Sequence, residues 1–351
     1  MLFSEPLIPS FVQRAFDVSI REVTQADGGF SGADVFRATT DDGRELAVRR
    51  TPELIALPTS RLSELHHLLR EMSRRGCNTI AVPMQTIDTT TSPVESWLKF
   101  DEDIWQMEPW MPGTSLTGQE MTSLHLSAAI VSLHQFHRRA AESVVAVSQS
   151  EWFRNGHQPS PAAQRRLTLA SDLSCGMLRT LRLKLANDRD ERFRGLAMRV
   201  CESLEKGLPW LLRELTEIGR MRFALQPVIR DIWRAHVLFT GSTVTGMIDL
   251  TAAASDHVAL DVTRLLRSWY GAGNTKIEMA VNEFQTMRPF NANERRLLQT
   301  LDASTVLLSP VTWLRRRVNS GDDARCRDDV IVRLTELTEV AEKFHPLEVE
   351  I

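Results

Sequence analysis

The 351-residue sequence predicts an α+β protein in two parts, a small antiparallel β lobe with one helix followed by a larger, mainly helical lobe. Three observations support this prediction. Residues 19–50 form short β-type segments separated by glycine-containing turns, and residues 60–76 carry one helical pattern. After about residue 115 the apolar residues recur at helical spacing. We therefore assign residues 1–110 to the first lobe and residues 111–351 to the second.

The first lobe begins with three predicted strands. They cover Ser19–Gln25, Val35–Thr40 and Arg44–Arg50, and the pair Asp42-Gly43 supplies a tight hairpin turn between the last two. Because each connection is short, the strands should form an antiparallel meander with a glycine-rich first connection.

One helix and three further strands complete the first lobe. Leu62, Leu65, Leu69 and Met72 recur at helical spacing, and Gly76 is placed as a helix stop. We expect strands in the segments that follow, at 78–86, 95–100 and 103–110. The segment Met111–Leu116 is typical of a connector and is the preferred lobe boundary.

The second lobe is predicted to be helical with one short β interruption. Apolar positions near residues 126–136 lie on one helix face, and residues 165–187 and 191–219 predict further long helices. Helical patterns return from Val258 to the end. Between them, residues 237–248 have the pattern of a β-hairpin.

The hairpin indicates a candidate cation site. His236 precedes its first strand and Asp249 follows its second, so hairpin pairing should bring them together. Asp231 lies in a loop that can fold over the same end. Two carboxylates and an imidazole suit a divalent cation, although Asp231 and Asp249 could instead cap local structure and His236 could be a core histidine.

The glycine-rich turn between the first two strands indicates a phosphate-binding loop. It contains Gly28, Gly29, Ser31 and Gly32. Glycines allow close backbone approach to a ligand, and the N–H groups of such a turn can bind phosphate. A structural hairpin turn is the alternative interpretation.

The third predicted strand places a small residue and a cation on one face. Ala47 and Arg49 share that face, and together they fit a purine next to its phosphates. We expect Glu64, on the following helix, to be the ion-pair partner of Arg49, with Glu71 as the less favoured alternative. A solvent-exposed Arg49 on a sheet edge remains open at this stage.

Taken in order, these segments resemble the aminoglycoside phosphotransferase and choline kinase-like family, which has a bilobal protein-kinase-like fold. The resemblance runs from about Val23 to about Leu266 and is weaker between residues 140 and 220. It implies that Gly28–Gly32 cover the nucleotide phosphates and that Arg49 and Glu64 stand at the family's cation and its helix partner. The segment around Glu108 and Trp110 is similar to the hinge that meets the adenine edge.

The catalytic loop of the family, HGDLHPGNVLF, is similar to "IRDIWRAHVLF" here. The resemblance implies that Asp231 is the catalytic base and that Asp249, in "MIDL", binds metal. His236 stands where the family has a metal-binding asparagine. Because imidazole prefers softer metals than magnesium, manganese or zinc could bind better than in relatives, or His236 need not bind metal. Asp261 is expected to be structural.

Three further departures alter this loop. Ile229, Arg230 and Trp233 replace a histidine, a glycine and a second histidine of the family pattern. Arg230 and Arg234 flank Asp231, where they could stabilise transferred charge, bind an acidic acceptor or face solvent.

The resemblance implies an ATP-dependent phosphotransferase that uses Mg²⁺ or Mn²⁺ and moves the γ-phosphoryl group to a hydroxyl of a small molecule. Two alternatives stay open. The altered loop would suit a non-catalytic nucleotide-binding pseudokinase that acts as an interaction module. A metal-dependent hydrolase using Asp231, His236 and Asp249 would leave the glycine turn and Arg49 without a role.

Composition restricts the partners and the compartment. The net charge of −3 gives no sign of a general nucleic-acid binder, and no apolar run is long enough to span a membrane. The four cysteines, Cys77, Cys175, Cys201 and Cys326, form no Cys-X-X-Cys pair, so we expect a reduced, cytoplasmic setting. The sequence gives no indication of the oligomeric state.

Overall fold

The structure is a computed structural model that describes residues 7–26, 32–87, 94–271, 274–320 and 326–344. It confirms the α+β class, with a five-stranded antiparallel sheet near the N-terminus and mostly helical structure toward the C-terminus. Within the described ranges, no helix combines the length and the apolar character needed to cross a membrane.

The strands, in chain order, are β1 (Ile20–Gln25), β2 (Asp34–Thr40), β3 (Glu45–Pro52), β4 (Leu98–Phe100), β5 (Asp103–Pro109), β6 (Gly156–Gln158), β7 (Phe223–Val228), β8 (Val237–Thr240), β9 (Thr243–Met247) and β10 (Ala254–Asp256). The predicted meander and hairpin are confirmed. Strand β7 and the three-residue strands β6 and β10 were not predicted. A segment as short as β6 or β10 shows no alternation of apolar and polar residues.

The helices are α1 (Ser10–Ala15), α2 (Thr59–Arg74), α3 (Ser123–Ser143), α4 (Pro161–Asp172), α5 (Leu178–Leu185), α6 (Glu191–Gly219), α7 (Ala259–Trp269), α8 (Thr275–Met287), α9 (Ala292–Ser320) and α10 (Asp328–Glu342). The helix predicted over residues 191–219 matches α6. The helix predicted over residues 165–187 is interrupted by a π turn, in which Gly176 has a φ of 125° that only glycine adopts readily.

The chain divides into two compact units. The first contains the described residues of 1–116, 135–154 and 235–253, and the second contains those of 117–134, 155–234 and 254–351. Both units are therefore discontinuous in sequence. The lobe boundary that we placed at residue 110 stays a prediction.

In the first unit, the sheet has the order β1-β2-β3-β5-β4 with antiparallel neighbours throughout. One face packs with α1 in an apolar cluster that includes Val12, Val48 and Met107. Because side chains alternate along a strand, the other face of β3 carries Ala47 and Arg49. This alternation leaves a row of small and polar side chains on the face opposite the core.

One predicted strand of the first unit is wrong. Residues 78–86 contain no strand and make a single isolated bridge, between Ile80 and Met247. Pro83 lies in the middle of this segment and has no N–H to donate to a ladder, which explains the absence of regular pairing.

The second unit is built around a long helix. Helix α6 packs against α4, α9 and α10, and α7 packs against α9. A small antiparallel sheet of order β10-β7-β6 lies in the same unit. Strand β7 ends at Val228, directly before the loop that carries Asp231, so the sheet fixes where that loop begins.

Candidate active site

The β8–β9 hairpin brings His236 and Asp249 together, as predicted. The backbone N–H of Ile248 donates to the His236 carbonyl at 3.0 Å and closes the open end of the hairpin. The His236 Nε2 atom then lies 3.6 Å from Asp249 Oδ2. Among the described residues, no group of three or more His, Cys, Asp or Glu side chains is placed to hold a metal ion, so the hairpin offers a pair of donors.

Arg49 lies beside Asp249. Its Nη2 donates to Asp249 Oδ1 at 2.9 Å, and the Thr251 hydroxyl donates to the same oxygen at 3.0 Å. Asp249 has left-handed backbone angles, φ 56° and ψ 57°, which aspartate tolerates better than most residues. Burial works to raise the pKa of Asp249, but Arg49 and His236 outweigh it, and the pKa is lowered. The carboxyl group is therefore ionised at neutral pH.

The predicted Arg49–Glu64 pair is wrong. In the part of the chain that is described, Arg49 pairs with Asp249, while Glu64 accepts a hydrogen bond from Ser150. The alternative partner Glu71 pairs with Arg74 and Arg75. The reason is helical rotation: each residue of α2 turns by about 100° relative to the previous one. Leu65 and His66 therefore line the pocket at Arg49 in place of Glu64.

Two polar residues of β5 lie opposite β3 at this site. Gln106 faces Arg49 across the strand pair, and Glu108 faces Ala47. Burial raises the pKa of Glu108 to about 7, with Asp249 adding to the shift and Arg49 opposing it. Burial also lowers the pKa of His66 to about 3, so His66 is neutral. Gln106 and His66 were not predicted as site residues, although the β3–β5 register would have indicated Gln106.

The predicted phosphate loop is described only in part. Gly28, Gly29 and Ser31 lie outside the described residues, so the structure does not bear on them. Gly32 has a φ of 79°, and a Cβ there would lie 3.0 Å from Ile55 Cδ1. A side chain at position 32 would therefore strain the start of β2.

The predicted adenine hinge follows β5. The N–H of Trp110 donates to the Glu45 carbonyl at 3.0 Å, which continues the β3–β5 pairing. The Arg37 guanidinium lies 5.0 Å from the centre of the Trp110 ring. Adenine binding by Glu108 or Trp110 stays a prediction. The backbone N–H of Trp110 already donates to the Glu45 carbonyl.

In the second unit, a buried carboxylate holds the loop of Asp231. The two Asp261 oxygens each accept a backbone N–H at 2.7 Å, one from Ile229 and one from Arg230. Asp261 has no exposed surface, and Ile229 and Ile232 are also buried. Arg230 has a φ of 68°, a conformation that explains a glycine in the similar family loop. This geometry agrees with the structural role expected of Asp261.

Asp231 itself is exposed and paired. Its side chain is 59% accessible to solvent, and it accepts a hydrogen bond from Arg264 of α7. Arg264 was not predicted as a site residue. It lies three positions after Asp261, so it is on the same side of α7, and this spacing was the available signal.

The fold is that of the protein-kinase-like phosphotransferases. An aminoglycoside phosphotransferase from Alicyclobacillus acidocaldarius superposes with a TM-score of 0.59 at 17% identity, covering 96% of this chain and 98% of that one. A spectinomycin phosphotransferase in complex with ADP and spectinomycin gives 0.64 at 12%, covering 95% and 96%. An amicoumacin kinase in complex with AMP-PNP and Ca²⁺ gives 0.62 at 11%, covering 97% and 96%.

The sequence model of the phosphotransferase enzyme family matches residues 22–298, and the chain belongs to that family. Two homoserine kinases are also similar. The enzyme of Acidiphilium cryptum is 28% identical over 99 residues, or 27% of this chain and 31% of that protein. The enzyme of Afipia carboxidovorans is 21% identical over 235 residues, or 66% and 59%. The chain thus spans less than two thirds of either relative.

Proposed function

We propose that the protein is an ATP-dependent phosphotransferase that moves the γ-phosphoryl group to a hydroxyl of a small molecule. The observation that carries this proposal is the contact of Arg49 and His236 with opposite oxygens of Asp249, within the stretch that the family model matches. A guanidinium and an ionised carboxylate at one point are the groups that phosphoryl transfer requires for positioning and charge stabilisation.

On the nucleotide side, Arg49 would bind phosphate oxygens. A guanidinium presents a planar set of donors that matches two oxygens at once. Gly28, Gly29, Ser31 and Gly32 would cover the phosphates. The small side chain of Ala47 would leave room for the base, with Glu108 and Trp110 at its edge. Glu64 enters the proposal only as a residue that supports α2 through Ser150.

Asp249 and His236 would hold Mg²⁺ or Mn²⁺. The structure fits such an ion because an ionised carboxylate and an imidazole nitrogen lie 3.6 Å apart. A bound divalent ion would neutralise charge on the phosphates. Asp249 Oδ2 is the oxygen nearer to His236, whereas Oδ1 already accepts from Arg49 and Thr251.

Asp231 would act on the acceptor. Its exposed carboxylate accepts the proton of the acceptor hydroxyl while the acceptor oxygen bonds to the γ-phosphorus. The bond between the γ-phosphorus and the bridging oxygen breaks, and ADP leaves with that electron pair. Arg264 orients the Asp231 carboxylate for this step. The acceptor candidate with support is a hydroxyl amino acid, because two relatives are homoserine kinases.

The test is ADP release from ATP and Mg²⁺ or Mn²⁺ with a panel of hydroxyl compounds that includes L-homoserine, amino alcohols and sugars. We expect acceptor-dependent ADP formation that falls about 100- to 10,000-fold in Asp231→Asn, because general-base catalysis contributes a factor of this size. Thermal stabilisation by AMP-PNP with metal should persist in that variant.

The matched control is Asp172→Asn, which removes an exposed carboxylate at the end of α4 and should leave the rate unchanged. Nucleotide binding without ADP formation for any acceptor would refute the proposal and leave the pseudokinase alternative, which no comparison supports. An unchanged rate in Asp231→Asn would refute the role of Asp231.

A further inference from the structure

The second unit contains a cavity next to the Asp231 loop. Its volume is about 370 Å³, and its wall includes Ile232, Trp233 and Arg234 from that loop together with Arg264, Arg267 and Tyr270 of the α7 region. Ligand pockets in proteins commonly span about 300–1,000 Å³. This cavity is therefore of the size for a small acceptor.

The wall of the cavity carries excess positive charge. Five of its side chains are cationic: Arg234, Arg264, Arg267, Arg333 and Lys343. Two wall carboxylates, Glu336 and Glu339, oppose them. Arg234 and Arg333 share Glu336, so two cations have one carboxylate between them. Asp231 and Asp302 lie outside the wall but pair with Arg264 and Arg267. Counting these two carboxylates with the two of the wall leaves the five cations with one positive charge in excess.

Three wall residues also have buried polar atoms without a hydrogen-bond partner in the described part of the chain. These atoms are Tyr270 Oη, Arg264 Nε and Arg267 Nη1. Tyr270 is only 5% exposed. A buried polar group without a partner is destabilising, and such groups in native proteins call for an explanation. The two guanidinium N–H groups can only donate, and the Tyr270 hydroxyl can donate, so an acceptor group would satisfy all three.

Burial raises the pKa of Tyr270, so its hydroxyl keeps its proton and donates at neutral pH. Arg267 is held in place by a hydrogen bond of 2.6 Å from its Nε to Asp302, which leaves Nη1 for another partner. Arg264 joins the cavity to Asp231, because it contacts that carboxylate and also lines the wall.

We propose that this cavity binds the carboxylate of a small hydroxyl-bearing acid, with Tyr270, Arg264 and Arg267 as its donors, and that this acid is the phosphoryl acceptor. This inference rests on the proposed function. A carboxylate supplies the negative charge and the acceptor oxygens that the wall lacks. The contact between Arg264 and Asp231 links the bound acid to the candidate base.

Binding is tested first without nucleotide, by calorimetry and thermal shift. The probes are L-homoserine, 4-hydroxybutyrate and 3-amino-1-propanol, the last of which has the hydroxyl and the amine but no carboxylate. We expect the two acids to bind and raise the melting temperature, and the amino alcohol to bind at least about tenfold more weakly. Equal binding of the amino alcohol would overturn the inference.

The variant is Tyr270→Phe, which removes one oxygen and keeps the ring. Loss of a hydrogen bond to a charged group costs about 1.5–3 kcal/mol, so the Kd for 4-hydroxybutyrate should rise roughly 10- to 100-fold. The melting temperature without ligand shows that the variant is folded. The control is Arg213→Gln, a cation of α6 that is 67% exposed and does not line the cavity; its Kd should not change.

The two proposals fail in different ways. Transfer to an uncharged acceptor, with no binding of the acids, refutes the carboxylate site and leaves the phosphotransferase function intact. Binding of the acids that weakens in Tyr270→Phe, with no ADP formed from any acceptor, supports the anion site and refutes the phosphotransferase function. An unchanged Kd in Tyr270→Phe overturns the assignment of Tyr270.

Discussion

Arg49 and Asp249, 200 positions apart in sequence, are joined by a hydrogen bond of 2.9 Å from Nη2 to Oδ1. Both side chains are largely buried, with exposed fractions of 18% and 32%. The contact ties the sheet to the end of the β8–β9 hairpin. It also means that the candidate phosphate-binding cation and the candidate metal-binding carboxylate belong to one electrostatic cluster.

A double-mutant cycle measures this contact. We expect Arg49→Gln and Asp249→Asn each to lower the free energy of unfolding, with a coupling energy of about 1–2 kcal/mol, because paired charges in partial burial are screened less than at the surface. The measurement is denaturant unfolding of the four proteins. Additive effects of the two substitutions would contradict a contact between these side chains.

The control cycle uses Arg37 and Glu45 of the same sheet. Their hydrogen bonds are as short, but their side chains are 46% and 43% exposed. Solvent screens ion pairs between exposed side chains, so this coupling should be the smaller of the two.

The rules of strand pairing predicted one contact of this site from the sequence. A β-hairpin must bring its outer ends together, so the proximity of His236 and Asp249 could be predicted without knowledge of the rest of the fold. The ion-pair partner of Arg49 could not be predicted in this way. The apolar spacing of Leu62, Leu65 and Leu69 indicates the buried face of α2. The contact of Arg49 with Asp249 joins residues 200 positions apart, and no local pattern encodes it.

Glu108 should make stability depend on pH. Its pKa of about 7 in the folded protein lies above the ordinary value of 4.5. Between these two pH values the folded state retains a proton that the unfolded state has lost, so the contribution of Glu108 to stability falls as pH rises through this window. Glu108→Gln cannot ionise. The free energy of unfolding of this variant should exceed that of the original protein by about 1–3 kcal/mol above pH 7, and the two values should be equal near pH 4.

Denaturant unfolding at pH 4, 6 and 8 checks this expectation. Glu102→Gln is the control, since Glu102 is exposed at the turn between β4 and β5 and should show no such trend. A constant difference between Glu108→Gln and the original protein at all three pH values would show that the pKa of Glu108 is the same in the folded and unfolded states.

His236 should set the metal preference if it is a ligand. Magnesium favours oxygen donors, whereas manganese accepts imidazole more readily. His236→Asn should therefore raise kcat/KM with Mg²⁺ relative to Mn²⁺ by about tenfold, which corresponds to about 1.4 kcal/mol. The control is His157→Asn on the exposed strand β6. The same ratio in both variants would exclude His236 from the metal site.

The hydrogen-bond donors of the second-unit cavity could not be predicted from the sequence. Arg264 and Tyr270 lie in and after α7, whose pattern indicates only an amphipathic helix. The structure places Arg264 and Tyr270 on the same cavity wall as Arg333 and Glu336 of α10. Contacts between helices far apart in sequence depend on crossing geometry, which local periodicity does not encode.

Asp261 should control both the stability and the activity of the Asp231 loop. Its two oxygens accept the N–H groups of Ile229 and Arg230 at 2.7 Å each. Asp261→Asn replaces one acceptor with an NH₂ group that faces a donor, so we expect a loss of about 1.5–3 kcal/mol in the free energy of unfolding. Because this loop positions Asp231, kcat should also fall, whereas the affinity for AMP-PNP should be unchanged.

Denaturant unfolding and steady-state kinetics check the two effects, with Asp172→Asn as the exposed control. The backbone angle of Arg230 explains why the effect on kcat should be larger than the effect on affinity. Its φ of 68° is costly for a residue with a Cβ and is held by the Asp261 hydrogen bond, so losing that bond allows the loop to relax and Asp231 to move. Wild-type kcat in a destabilised Asp261→Asn protein would show that Asp231 does not depend on this support.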